Sequence, residues 1–335
     1  MLVISDVVVR ELLSIDSCID VMADALRTLA RGEAILPLRT VVMMPGGHNA
    51  FAVMPAHLSS PRVVGAKVIT VVPGNDATPL DSHQGAVLLF DTETGSLLAV
   101  LDASSITAIR TAAVSAVATR SLARDDAGDL AILGAGVQAE QHLASMLAVR
   151  RLRRIRIWNR SPARAASFVA RARRRDGLDV ELCATARAAC AGADLICTTT
   201  GAREPVLEGA WLSAGAHVNA VGSSLRSTRE LDSDAVARAS LFVDRRESAL
   251  AEAGDFLIPK REGLVCDEHI RGELGEVLLG TAAGRTSRDE ITLFKSLGLA
   301  IEDLAAAHFV YDRALASGAG QRAELGGLRD VGNDA

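Results

Sequence analysis

The 335-residue chain has no surplus of positive charge: 36 Lys and Arg stand against 41 Asp and Glu, a net charge of −5. A global basic field for nucleic acid is therefore absent. Its apolar runs are short and broken by charges, so none is expected to span a membrane. Five cysteines, Cys18, Cys183, Cys190, Cys197 and Cys266, form no C-x-x-C pair. Cys266 and His269 stand at C-x-x-H spacing, but no second ligand pair accompanies them, which argues against zinc. An odd, scattered set of thiols fits a reducing, cytoplasmic setting. Met1 is followed by LVISDVVVREL, which carries neither a basic leader nor a small-residue cleavage site, so no signal peptide is expected. No repeat of solenoid period appears.

What is present is the composition of a globular protein. Hydrophobic residues make up 49% and charged residues 23%, too apolar for a disordered chain. The length allows two domains of about 150 residues each. Residues 14–34 place apolar side chains at helical spacing, with Ser14 or Asp16 as N-cap and Gly32 as stop. β-like runs follow at 39–45, 49–58, 63–73 and 85–102, the last folded at the turn signal DTETGS. Strand after strand implies a mixed sheet. The Ala-rich stretch 103–123 is a helix long enough to bridge two domains.

After Gly128 the texture becomes strand, turn, helix, repeated, which is the mark of a doubly wound parallel sheet. The run RRLRRIRIW (150–158) alternates Arg with apolar residues and reads as an edge strand with a solvated face. RARRR (171–175) reads as the exposed end of a helix, where cations suit the dipole. HVNAVGSS and RASLFVD supply further strands, the first around the short apolar run Val218–Val221. Residues 287–318 read as a final helical stretch returning to the first domain, and the tail beyond Gly318 as polar and frayed.

The segment DLAILGAGVQAEQH carries Gly134, Gly136 and Ala139 in the pattern G-x-G-x-x-A between a strand and a helix. That context is what a dinucleotide site requires: a tight turn, close approach to a pyrophosphate, and close helix–strand packing. Gly134, Ala135, Gly136, Val137 and Gln138 are the candidate contacts, with the pyrophosphate on the helix N-terminus. NAD sites usually end the next strand with an acid on the ribose 2′-hydroxyl. Here stand Asn159, Arg160 and Ser161, groups that suit a 2′-phosphate. NADP(H) is the preferred cofactor, with NAD(H) possible.

The segments LPLRT (36–40), GAKV (65–68), DSHQG (81–85), ITAIRTAAVSAVAT (106–119), LGAGVQAEQH (133–142), IWNRS (157–161), NAVGSS…REL (219–231) and FKSLGLAIED (294–303) together resemble the ornithine cyclodeaminase/mu-crystallin family. The resemblance implies an α/β protein in which a Rossmann doubly wound parallel sheet (116–304) is inserted into an α+β domain (1–115 plus 305–335) that binds substrate and forms a homodimer. It implies substrate cations at Arg39, Lys67 and Arg110. Chemically these make sense, because a guanidinium can fix the plane of a carboxylate beside a C=N carbon and a lysine can hold an oxygen or move a proton. Arg110 lies in an apolar helix and needs a buried partner, either an anionic substrate or an internal acid.

The same resemblance places Ser82 and His83 near the nicotinamide, with His83 as a possible proton relay, and Thr200, Val221 and Ser296 against the cofactor. Cyclodeaminases of the family carry an aspartate where Ser224 stands, and an acid where Ala52 stands. Loss of both removes the anionic partner of a diamine. The expected function is an NAD(P)H-dependent reductase of α-imino acids: ketimines, cyclic imines such as pyrroline-2-carboxylate, or an imino dicarboxylate if Arg226 or Arg229 turns inward. The alternatives are an ornithine or lysine cyclodeaminase, an alanine dehydrogenase type of enzyme, and a non-catalytic binding protein of the mu-crystallin kind. Neither nucleic acid nor membrane is an expected partner.

Overall fold

A computed structural model describes residues 1–327, apart from the side chains of Asp76 and Ala77. Two sheets organise them. The first holds β1 (Leu2–Ile4), β2 (Ala34–Ile35), β3 (Thr40–Met43), β4 (Ala50–Ser59), β5 (Arg62–Val71), β6 (His83–Phe90) and β7 (Leu97–Asp102). The second is contiguous in the chain: β8 (Asp129–Leu133), β9 (Arg154–Trp158), β10 (Val180–Leu182), β11 (Leu195–Thr198), β12 (His217–Ala220), β13 (Ser240–Val243), β14 (Ile270–Glu273) and β15 (Thr292–Lys295). A last strand, β16 (Gln321–Arg322), returns to pair with β1. The helices are α1 (Asp6–Leu12), α2 (Ile15–Ala30), α3 (Ala103–Leu122), α4 (Val137–Val149), α5 (Pro162–Asp176), α6 (Ala186–Cys190), α7 (Ser233–Arg238), α8 (Arg246–Glu252), α9 (Gly254–Arg261), α10 (Leu274–Leu279) and α11 (Ala300–Ser317).

The first sheet runs β16-β1-β7-β6-β5-β4-β2, with β3 also on β4. It is mixed: β1 and β7 are parallel and the β4–β5–β6–β7 ladder is antiparallel. Along β5 the period of two buries Val63, Gly65, Lys67 and Ile69, and α11 covers that strand and its neighbours β4 and β6. The second sheet is parallel throughout, in the order β10-β9-β8-β11-β12-β15-β13-β14. Both of its faces are covered, as parallel sheets require. Leu130 and Ile132 of β8 join the core shared with the first sheet, whereas Ala131 and Leu133 join a second core. The strand order reverses at β8, between β9 and β11, which opens a crevice at the carboxyl ends of the strands.

The bridging helix is present and runs unbroken through residues 115 and 116. Its buried face is nearly its whole circumference, because it packs on β5 and β6 of one sheet, on β12 and β15 of the other, and on α2, α4 and α11. Alanine and serine keep it thin enough for that. At its start the Asp102 side chain accepts from the Ser105 amide at 2.7 Å. Ser14, not Asp16, caps α2, and Ser161 caps α5 ahead of Pro162.

Three expectations are corrected. β9 is not an edge strand; it lies between β10 and β8, and Arg156 is buried, its Nη1 donating to the Ala188 carbonyl at 3.3 Å. Arg151, Arg153 and Arg154 of the run are exposed, but Arg156 turns inward, where carbonyls around α6 accept from its Nη1. Residues 292–295 are not helical but a strand inserted between β12 and β13, fully buried, and only 300–317 form the final helix. The tail is not wholly frayed: Gln321 and Arg322 extend the first sheet, while the residues beyond 327 lie outside those described. Among the described residues, no helix is long and apolar enough to cross a membrane.

Candidate active site

The crevice is built from two glycines with opposite surroundings. Gly134 follows β8 at φ 130°, and a Cβ there would meet the Thr199 carbonyl oxygen at 2.8 Å. Gly136 is the N-cap of α4, has no side-chain cap, and a Cβ there would meet nothing within 4 Å. The first closes the turn on β11. The second leaves open space in front of unpaired helix amides, a cradle that fits a pyrophosphate. Ala139 is fully buried, which lets α4 lie close to the sheet. Ala135 is buried and Val137 exposed at the mouth. Gln138 reaches the Thr107 carbonyl on α3 at 3.5 Å.

The other candidate cofactor contacts ring the same strand ends. Asn159 donates from its side-chain amide to the Ser161 carbonyl at 3.1 Å, and Arg160 is exposed beside them. Ser296 is buried with a hydroxyl that has no partner, an unsatisfied group of the kind a ligand completes. Val221 is half-buried, its amide bonded to the Thr198 carbonyl at 3.0 Å. Thr200 turns its hydroxyl inward to Glu230 at 2.7 Å. Glu230 also accepts from the Thr200 amide at 2.6 Å, the Gly222 amide at 2.6 Å and the Thr198 hydroxyl at 2.7 Å. One buried carboxylate thus ties the ends of β11 and β12 and returns the loop 222–229 to the sheet. Asp255 secures the same return through the Glu230 and Leu231 amides, and pairs with Lys295 at 3.0 Å.

Arg39, Lys67 and Arg110 come from a loop, β5 and α3, and α11 meets the last two. Lys67 Nζ lies 2.7 Å from Asp303 Oδ2. Arg110 Nε lies 2.8 Å from Asp303 Oδ1, and its Nη1 lies 2.9 Å from Glu302 Oε2. All four side chains are buried. The partner that Arg110 needed is therefore internal. Arg39 contacts Glu252 at 2.9 Å and donates to the carbonyls of Leu297 and Gly298 at 3.0 and 2.9 Å. Those two residues donate their amides to buried Asp244 at 2.6 and 2.8 Å, so the end of β13 positions Arg39 through the turn after β15. Gly298 also backs the Arg110 guanidinium, since a Cβ there would meet Nη1 at 2.6 Å. Thr107, 3.4 Å from Lys67 through its hydroxyl, links this cluster to Gln138 of the glycine loop.

Burial and neighbouring charge set the protonation states. Burial pushes Lys67 down to about 8, although Asp303 pulls the other way. Burial also raises Glu302 to about 7, against Arg110. For Asp303 the same burial is outweighed by Arg110 and Lys67, which hold its carboxyl below the ordinary range. His83 pairs with Val71 across β5 and β6, on the face that carries Lys67. Burial and then the Lys67 charge hold its imidazole below the usual value. Its Nδ1 lies 3.1 Å from the Ser82 hydroxyl.

Not every candidate is gathered in. Ser224 and Arg226 are exposed on the loop. Arg229 binds Ser233 at 2.9 Å and Glu262 at 3.5 Å, so its charge is committed to α7 and the end of α9. Glu302, Asp303, Asp244 and Glu230 were not singled out from the sequence. The available signal for the first pair was two acids at the head of an apolar, Ala-rich helix facing a helix that carried an unexplained arginine.

The family model described as "Ornithine cyclodeaminase/mu-crystallin family" matches residues 1–318. This chain belongs to the ornithine cyclodeaminase/mu-crystallin family. It is 39% identical over 326 residues to a Δ1-pyrroline-2-carboxylate reductase of Bacillus cereus, covering 97% of this chain and all of that protein. It is 43% identical over 281 residues to ketimine reductase mu-crystallin of Mus musculus, covering 84% of this chain and 86% of the relative. The Thermococcus litoralis Δ1-pyrroline-2-carboxylate reductase, solved with NADH and L-proline, superposes with a TM-score of 0.94 at 37% identity, covering 96% of this chain and 100% of that one.

Proposed function

We propose that this family member reduces α-imino acids with a nicotinamide cofactor, and that cyclic imines such as Δ1-pyrroline-2-carboxylate are its substrate class. The observation that carries the reading is the convergence of Arg110 and Lys67 on one buried acid, joined through Thr107 to the glycine loop. When bound, the reduced nicotinamide supplies the hydride that the C=N carbon accepts. Arg39 and Arg110 hold the neighbouring carboxylate and fix the plane of the imine. Lys67 is mostly charged at neutral pH, with its value at about 8, and is the proton source for nitrogen. His83, held neutral, orients the substrate by hydrogen bonding rather than acting as the primary acid.

Gly134, Ala135, Gly136, Val137 and Gln138 hold the pyrophosphate, Ser82 and His83 flank the nicotinamide, and Thr200, Val221 and Ser296 line its pocket. Asn159, Arg160 and Ser161 take the adenosine ribose, with NADPH preferred over NADH because no acid stands there to repel a 2′-phosphate. Ala52 is buried and uncharged on β4, so neither it nor Ser224 offers an anion to a terminal ammonium, which disfavours cyclodeamination. In this reading residues 1–115 with 305–335 bind substrate and form a homodimer, and 116–304 bind the cofactor. The five cysteines are free thiols, in keeping with a cytoplasmic enzyme.

The test is oxidation of NADPH and NADH across preformed cyclic imines, keto acids with ammonia or methylamine, and ornithine. Turnover of pyrroline-2-carboxylate is expected, with kcat/KM falling as pH rises through about 8 as Lys67 loses its proton. Arg160→Ala is expected to raise KM for NADPH about tenfold while leaving that for NADH nearly unchanged. Ammonia released from ornithine, with every imine inert, would sink the reading.

A further inference from the structure

We propose that Asp303 is the positioning residue of the substrate site, a single side chain that sets the spacing of Lys67 and Arg110 and leaves both with donors turned toward the substrate. The inference rests on the imine-reductase reading for its kinetic test, but not for its binding test.

Lys67 stands on a strand and Arg110 on a helix, so no local backbone geometry fixes one against the other. Asp303 does, through one oxygen to each: Oδ2 to Lys67 Nζ at 2.7 Å and Oδ1 to Arg110 Nε at 2.8 Å. Glu302 then takes Nη1 at 2.9 Å, and Gly298 lies against both Nη atoms, where a Cβ would meet Nη1 at 2.6 Å and Nη2 at 2.8 Å. Arg110 Nη2 makes no hydrogen bond among the described residues. The Lys67 ammonium has three donors; Asp303 takes one and the Thr107 hydroxyl, at 3.4 Å, another. The two Nη2 hydrogens of Arg110 therefore remain for a substrate carboxylate, and one Lys67 hydrogen for the substrate nitrogen.

The two acids of α11 differ in kind. Both lie in the first turn of the helix, where an anion is favoured, but Asp303 touches both cations and is held ionised by its partners. Glu302 touches only Arg110 among the cations, and burial raises it to about 7. The other charged and titratable groups facing this cluster are Arg39, His83 on β6, Cys18 on α2 and Asp244 after β13. None of them bridges Lys67 to Arg110. Asp303 thus keeps a buried ammonium charged without occupying the donors the substrate needs.

The experiment compares the full-length protein with Asp303→Asn and Glu302→Gln. Titration of each with L-proline, in the presence of oxidised cofactor, reads the carboxylate site without turnover. The pH profile of kcat/KM with pyrroline-2-carboxylate reads the Lys67 proton. Asp303→Asn is expected to weaken L-proline about tenfold or more and to move the basic limb to lower pH, because Lys67 loses the charge that opposes its desolvation. Glu302→Gln leaves that limb in place. If Asp303→Asn does not fold, Asp303→Ala is assayed with added formate, which should restore turnover in proportion to its concentration. Unchanged L-proline affinity, an unmoved limb, or no response to formate would each overturn the assignment. An enzyme that binds L-proline tightly yet reduces no imine would defeat the reductase reading alone, and the titration would still decide the role of Asp303.

Discussion

Arg110 illustrates how one residue joins stability to function. It lies buried between two carboxyl groups on α11, so its removal does more than empty a binding site. Arg110→Ala leaves buried Glu302 without a cation and Asp303 with Lys67 alone, and is expected to cost about 3–5 kcal/mol of stability, read by urea unfolding. The deficit should shrink in acid. Glu302 already has its value raised from 4.5 to about 7 in the folded protein, so the folded state holds this proton more tightly than the unfolded state does. Stability gained from that proton grows as pH falls from about 7 toward 4.5. An Arg110→Ala protein with wild-type stability at pH 8 would show that the pair is not holding the fold. The arginine itself was legible in the sequence as an anomaly in an apolar helix. Its partners were not, because 193 residues separate it from Asp303 and no local pattern connects them.

At the scale of elements, the turn between β8 and α4 separates two uses of glycine. Gly134 combines a positive φ with a carbonyl in its way, so Gly134→Ala is expected to lower thermal stability and expression. Gly136 has an extended φ of −93° and open space, so Gly136→Ala should fold normally and lose cofactor affinity. Differential scanning fluorimetry with and without NADPH distinguishes them: a normal melting point with a diminished NADPH shift for the second, a lowered melting point for the first. Equal behaviour in both would contradict the assignment of the open face of Gly136 to the pyrophosphate. The loop after β12 shows a comparable division. Arg226 and Arg229 were candidates for a second carboxylate contact, but Arg229 serves α7 and α9, and the side chain that shapes the loop is Glu230, inside the sheet.

For the whole molecule, the conspicuous feature is β3. All four of its residues are exposed, with Val42 at 56% and Met43 at 51%, and Ile35 nearby reaches 67%. An exposed apolar strand is a surface that pairs with something. The homodimer in the functional proposal would cover it. Val42→Asp is expected to shift sedimentation from dimer to monomer at micromolar concentration, with loss of activity because Arg39 precedes β3 directly. A wild-type protein that sediments as a monomer would remove this prediction and the homodimer together.

The sequence by itself determined what repeats locally. Strand–turn–helix alternation, the two glycines, the cap Ser161 and the Ala-rich bridging helix each depend on periodicity or on neighbours within a few residues. These identified the doubly wound sheet, the mixed sheet and the dinucleotide crevice. Only the tertiary structure decided which polar residues are inside and what they face. Arg156 looked solvated because alternation is ambiguous when both faces of a strand are covered. Residues 292–295 looked helical because a short buried strand and a buried helix are equally apolar. Glu302 and Asp303 acquired meaning only when α11 crossed α3 and β5, because the energy of a buried charge depends on its neighbours in space.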